Sequence, residues 1–139
     1  MKKYIFLIII LAFAFTTINA QSYKIIVNNS NNVSSITKAE LANFLLKKAK
    51  VWSNGKEVFP LDLNPKSATR EQLTKEILGK SIAQVLAFWQ QSVFAGKATP
   101  PVELDSDNKM IEFVKNTPGA IGYVSANTNT DGVKTVPLN

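Results

Sequence analysis

The sequence predicts an α/β fold with a mixed central sheet covered by helices, and three observations predict it. The continuous apolar run Ile25-Ile26-Val27 has the composition of a strand covered on both faces. Downstream, apolar residues recur at helical spacing in stretches that open on capping residues. Near the end, N-T-P-G-A-I-G-Y-V (residues 116–124) turns the last of those helices back into an apolar strand. The order is β-α-β-α-α-α-β-β, with no internal repeat or low-complexity tract, and such alternation argues for helices layered on a sheet.

Residues 1–20 are set apart from that fold. Lys2 and Lys3 give a positive start, residues 4–15 an apolar stretch, and Ile18-Asn19-Ala20 a small-residue cleavage site before Gln21, the pattern of a secretory signal peptide. The apolar stretch is shorter than the roughly 20 residues a membrane-spanning helix needs. Taking 20 from 139 leaves residues 21–139, 119 in all, one domain with enough length for its own core. With no cysteine, an exported product is held together by packing and carries no lipid-modified N-terminal cysteine. The expected location is periplasmic or secreted, with no stable membrane span once the signal is removed.

No histidine is present either. Without His or Cys, the commonest general base, the Ser-His and Cys-His nucleophile pairs and most zinc sites are excluded. No spacing singles out a carboxylate pair, so the expectation is a non-enzyme without metal or cofactor. The chain carries a formal charge of +6, and removing Lys2 and Lys3 from its 16 basic residues leaves 14 against 10 acidic ones. That balance favours anionic over cationic ligands. It is too mild and scattered for a nucleic-acid binder. The cluster Lys47, Lys48 and Lys50 reads as a solvated helix end.

Taken in order, residues 23–27 form the first strand, of the kind found in a parallel sheet. The loop Asn28-Asn29-Ser30-Asn31-Asn32 follows its carboxyl end, where α/β proteins place ligands. Asn28 and Ser30 are therefore candidate ligand residues, although asparagines also simply make good turns. Thr37 and Glu40 have capping-box spacing, so a helix begins at Lys38, lays Leu41, Phe44 and Leu45 on the core, and ends near Lys48. Trp52 plugs the core edge before the turn Ser53-Asn54-Gly55-Lys56. Residues 57–63 alternate, with Phe59, Leu61 and Leu63 on one side, and Pro60 favours an edge or strand-end position.

The polar stretch Asn64-Pro65-Lys66-Ser67-Ala68-Thr69-Arg70 opens a helix over 71–78, capped by Ser67 or Thr69. A helix start preceded by hydroxyls is also an anion seat. Gly79 stops that helix and Ser81 caps the next, whose stripe Ile82, Val85, Leu86, Trp89 and Val93 marks it as the main core contributor. Thr99-Pro100-Pro101 is an extended connection. Asp105 or Ser106 caps a last helix carrying Met110, Phe113 and Val114, which Pro118 and Gly119 end. Residues 120–124 form a strand in which Gly122 marks a close approach. A polar turn over 125–132 leads to a closing strand over 133–138.

This succession resembles the phosphate-binding proteins of bacterial ABC transporters, the PstS-like branch of the type II periplasmic binding proteins. The likeness rests on Val27-Asn28, on S-I-T-K-A-E-L-A-N-F-L-L-K-K with Trp52, on V-F-P-L-D-L followed by S-A-T-R, and above all on F-V-K-N-T-P-G-A-I-G-Y-V. It extends from Tyr23 to about Leu138 and corresponds to one lobe of the family's usual two. The resemblance implies a single lobe whose loops and helix starts donate to inorganic phosphate or a similar oxyanion. In the family, a Ser-Gly-Thr turn with an arginine four residues before the serine contacts phosphate. Ser67 and Thr69 match the hydroxyls, Ala68 replaces the glycine, Leu63 stands in place of the arginine, and Arg70 follows the threonine. The expected ligand residues are thus Ser67, Thr69 and Arg70, with Asn28 and Ser30. The expected function is an exported solute-binding module associated with phosphate uptake. It would work with a second lobe, another copy of itself or a transporter component. The competing expectation is an interaction module of the cell envelope that has lost high-affinity anion binding.

Overall fold

The computed structural model describes residues 22–139, and the signal-peptide reading of residues 1–20 lies outside them. Five strands form one sheet in the order β3-β2-β4-β1-β5, with β1 Tyr23–Val27, β2 Phe59–Leu63, β3 Val102–Leu104, β4 Ala120–Ser125 and β5 Lys134–Val136. β2 is parallel to β3 and β4, whereas β1 is antiparallel to both β4 and β5. The sheet is therefore mixed, and β1 alone runs against the other four strands. Ile25, Ile26 and Val27 are covered on both faces, as their composition requires, but between antiparallel neighbours rather than parallel ones.

Four helices accompany the sheet: α1 Lys38–Leu45, α2 Ala68–Leu73, α3 Ile82–Phe94 and α4 Asp107–Asn116. α1 opens on the Thr37/Glu40 capping box, buries Leu41, Phe44 and Leu45, and stops at Leu45, before the lysine cluster. α2 starts at Ala68 under a Ser67 cap, three residues before the expected start at Glu71. It runs on as a π-helical turn over Thr74–Leu78 that Gly79 closes with φ of 62°. α4 packs across β4, β1, β2 and β3, while α1 and α2 pack on β2, so helices cover the sheet as expected.

Two glycines fix how the layers meet. Gly119 has φ of 84°, and a side chain there would collide with the Glu57 carbonyl. Its own carbonyl accepts from the Trp52 indole N–H at 3.1 Å and from the Phe59 amide at 3.0 Å. Trp52, packed on Phe44 at 4.9 Å between ring centroids, thus ties the 52–55 turn to the segment before β4. Gly122 is the close approach foreseen in the sequence: Met110 of α4 occupies the space a Cβ would need.

Three expectations are corrected. β2 lies inside the sheet rather than at its edge, its first two residues paired with β4 and its last three with β3, and Pro60, its second residue, takes the strand-end position expected as the alternative. Its faces do not alternate either, because Phe59 is exposed and Leu61, Asp62 and Leu63 are all buried. The segment after Pro100-Pro101 is a short strand, β3. Finally, α3 is peripheral: Val85 and Trp89 are buried, but Leu86, Val93 and Phe94 are exposed, and the core forms around β1, β4, α1 and α4 instead. A stripe shows that a helix has an apolar side; how much of that side is covered depends on neighbours the stripe does not specify.

Candidate functional site

The strand directions decide where a ligand can meet the fold. The carboxyl ends of β2, β3, β4 and β5 share one edge of the sheet, and three helices begin there. α2 starts after β2 and α4 after β3, each capped by a serine, Ser67 or Ser106. α1 starts beside the end of the chain, where the Lys38 amide donates to the Asn139 carbonyl at 3.0 Å and Ile36 bridges Leu138. Helix starts gathered at the carboxyl ends of parallel strands present unpaired amides and the positive ends of their dipoles.

At this edge the chain between β2 and α2 is tightly wound. The Asn64 amide donates to the Leu104 carbonyl at 3.0 Å, Asn64 Oδ1 accepts from the Lys66 amide at 2.9 Å, and the Ser67 amide donates to the Asn64 carbonyl at 2.8 Å. Ser67 Oγ accepts from the Arg70 amide at 3.2 Å and so acts as the cap. Ala68 and Thr69 supply the first two amides of α2, which have no carbonyl partner within a helix. Ser67 and Thr69 are both half-buried. Two depressions of the surface, about 710 Å³ along α3 and about 700 Å³ between Pro65, Glu71, Lys75 and residues 79–83, are lined by none of Ser67, Thr69 and Arg70.

Arg70 turns inward and is 2% exposed. Its Nη1 donates to the Leu63 carbonyl at 2.7 Å and to Glu103 Oε2 at 2.9 Å. Its Nε lies 3.3 Å from Asp62 Oδ1 and makes no aligned hydrogen bond. The Asp62 carboxylate accepts the Tyr123 hydroxyl and the Leu63 amide. Burial pushes the Asp62 carboxyl above the usual aspartate range against the pull of the Arg70 charge. Tyr123, desolvated and facing that carboxylate, is pushed up and stays a donor. Arg70 thus reaches back to the Leu63 carbonyl, and two carboxylates of the chain meet it there.

Asn28 and Ser30 are not brought to this edge. Because β1 is reversed, its carboxyl end pairs with the beginning of β4, Val27 opposite Ile121, and the 28–32 loop lies at the other end of the sheet from Ser67. Asn28 is buried there; its Nδ2 donates to the carbonyls of Val114 and Lys115, and its Oδ1 accepts from the Ser30 amide and hydroxyl. The rule that put a ligand beside this loop requires a parallel strand, and β1 is not one.

Asp62, Glu103 and Tyr123 were missed in the sequence. One signal was available: Asp62 stands between Leu61 and Leu63 in an apolar strand, and a carboxylate so placed needs buried partners. Nothing local marks Glu103 or Tyr123.

The mixed sheet, the helix starts at its carboxyl edge and the helix-covered faces make an α/β lobe. Among solved structures, the chain superposes on an ABC-type phosphate transport receptor from Vibrio cholerae with a TM-score of 0.66 at 17% identity, covering 84% of this chain and 46% of that one. It matches PstS from Borrelia burgdorferi with a TM-score of 0.65 at 17% identity, covering 85% and 47%. A Clostridium perfringens protein solved with bound phosphate matches with a TM-score of 0.65 at 20% identity, covering 84% and 44%. The chain therefore spans less than half the length of these structures, and the likeness is one of fold. No protein-family model matches the sequence. No curated protein matches it either.

Proposed function

We propose that this chain is an exported, non-enzymatic solute-binding module for phosphate or a related oxyanion, acting in phosphate uptake from a periplasmic or secreted location. The observation that carries the proposal is the correspondence of 84% of the chain to under half of phosphate receptors, one of them holding phosphate. The ligand would meet the carboxyl edge of the sheet at the Ser67 and Thr69 hydroxyls and the Ala68 and Thr69 amides, with Arg70 behind them. Asn28 and Ser30 would not touch that ligand: they lie at the other end of the sheet, where Asn28 holds the end of α4. One lobe leaves an anion wet on one side, where each contact is weaker than in a closed site. Binding by the chain alone is therefore expected near a millimolar dissociation constant, or about 4 kcal/mol, and tighter with a second lobe or transporter component. Calorimetric titration of the purified protein with phosphate tests this. No heat, and no change in melting temperature at phosphate well above that range, would sink the reading.

α3 favours a second reading, an interaction module of the cell envelope. Its Leu86, Val93 and Phe94 are exposed, and Phe94 is 94% so. Exposed apolar surface of this kind marks contact sites. Light scattering that finds a strict monomer, together with no change in solution behaviour on polar replacement of those three residues, would count against it.

A further inference from the structure

The two carboxylates on Arg70 are not equivalent. Asp62 is buried, and its Oδ1 is already held by Tyr123 and by the Leu63 amide. Glu103 stands on the edge strand β3, and its side chain is 37% exposed. It makes the 2.9 Å hydrogen bond to Nη1, the closest charge contact of the guanidinium. A carboxylate with access to water regains hydration when it leaves, so releasing Glu103 costs far less than releasing Asp62. Glu103 is the exchangeable partner.

We infer that Glu103 is an internal occupant of an anion seat on Arg70: its carboxylate holds the guanidinium edge that an external tetrahedral oxyanion would take, and the unliganded chain is self-blocked. The inference rests on the solute-binding reading above and adds a control to it. Ser67 Oγ accepts from the backbone amide of Arg70 itself. That bond ties Ser67 to the backbone of Arg70, while the guanidinium itself turns inward to Leu63, Asp62 and Glu103. Two carboxylates against one guanidinium leave an excess of negative charge that repels anions, and Glu103→Gln removes it. A guanidinium is the side chain best suited to tetrahedral oxyanions, since its paired donors match two oxygens.

The experiment is a phosphate titration, by calorimetry, of the unsubstituted protein and of Glu103→Gln, with the Arg70 Nε–H signal of the unsubstituted protein followed by nuclear magnetic resonance. Glu103→Gln is expected to bind phosphate about tenfold more tightly, the scale of one charge-assisted contact. The Arg70 signal is expected to move along the same saturation curve as the heat. Phosphate bound equally or more weakly by Glu103→Gln overturns the inference and leaves the solute-binding reading standing. Phosphate bound by neither protein removes both. If Glu103→Gln does not fold, the Arg70 signal decides: a signal that stays still while phosphate binds overturns the inference.

Discussion

Asn28 donates its side-chain amide to the Val114 carbonyl at 2.8 Å, and to that of Lys115 at 3.0 Å, so the end of the first strand caps the end of the last helix. The last carbonyls of a helix have no partner inside it, and here a buried asparagine supplies one. Asn28→Ala is expected to lower stability by about 1–3 kcal/mol, the cost of leaving buried acceptors unsatisfied. A urea melt should show a lower midpoint with an unchanged slope. Because Asn28 lies at the end of the sheet opposite Ser67, phosphate affinity should not change; a selective loss of affinity with stability intact would return the 28–32 loop to the site.

Gly122 and Met110 form a second matched pair. The Met110 side chain fills the space beside Gly122, so Gly122→Ala forces it out of a fully buried position. The expected cost is about 1–3 kcal/mol, the usual range for overpacking. Shortening the neighbour with Met110→Ala should recover part of it, giving a non-additive double-mutant cycle. Strict additivity in denaturant melts would show that the two residues do not share this space.

Ionisation of Asp62 should make stability depend on pH in an unusual direction for an aspartate. Burial raises its folded-state pKa above the unfolded value, so the folded chain holds the proton more tightly. That contribution is complete below the unfolded pKa and is lost as pH rises through the folded one. Relative to Asp62→Asn, the unsubstituted protein should therefore lose stability as pH rises above about 4, an ordinary aspartate's pKa. Glu76, held down chiefly by its hydrogen bond from Tyr23, contributes in the opposite sense and is common to both proteins. A difference in melting temperature that stays flat as pH rises would refute the assignment.

α3 offers a contrast within one helix. Phe94 is 94% exposed and Trp89 only 5%. Phe94→Ser should change stability by less than about 0.5 kcal/mol, as surface substitutions do. Trp89→Ala should cost about 3 kcal/mol, the lower end for a buried aromatic, because α3 contributes no residue to the main core cluster. Equal melting temperatures for the two variants would mean that the helix does not dock through Trp89.

The helix starts at Lys38 and Ile82 were legible because a cap is a local pairing of a side chain with amides three residues away: Thr37 with Glu40 and Ser81 both cap as expected. Residues 120–125 were legible as a strand because Pro118-Gly119 and a solid apolar run leave few alternatives. The direction of β1 was not, since Ile25-Ile26-Val27 is equally apt between parallel or antiparallel neighbours, and those neighbours lie about a hundred residues on. Pro60 left two places open, a sheet edge or a strand end, and near the start of β2 it occupies the second inside the sheet. Near the candidate site, the cap that Ser67 gives α2 could be read. The inward turn of Arg70 could not, because it depends on Glu103, 33 residues further on.

The reversed first strand also sets a timetable. Tyr23 pairs with Ser125 and Val27 with Lys134, so the strand nearest the beginning of the chain has its place between the two made last. A chain emerging from the ribosome cannot close this sheet until almost all of it is available, and contacts this distant in sequence form slowly. A chain bound for export would remain threadable throughout that interval. Chains ending before residue 120 are accordingly expected to lack protection of the β1 amides in hydrogen exchange, and protection of those amides in such fragments would contradict this order of events.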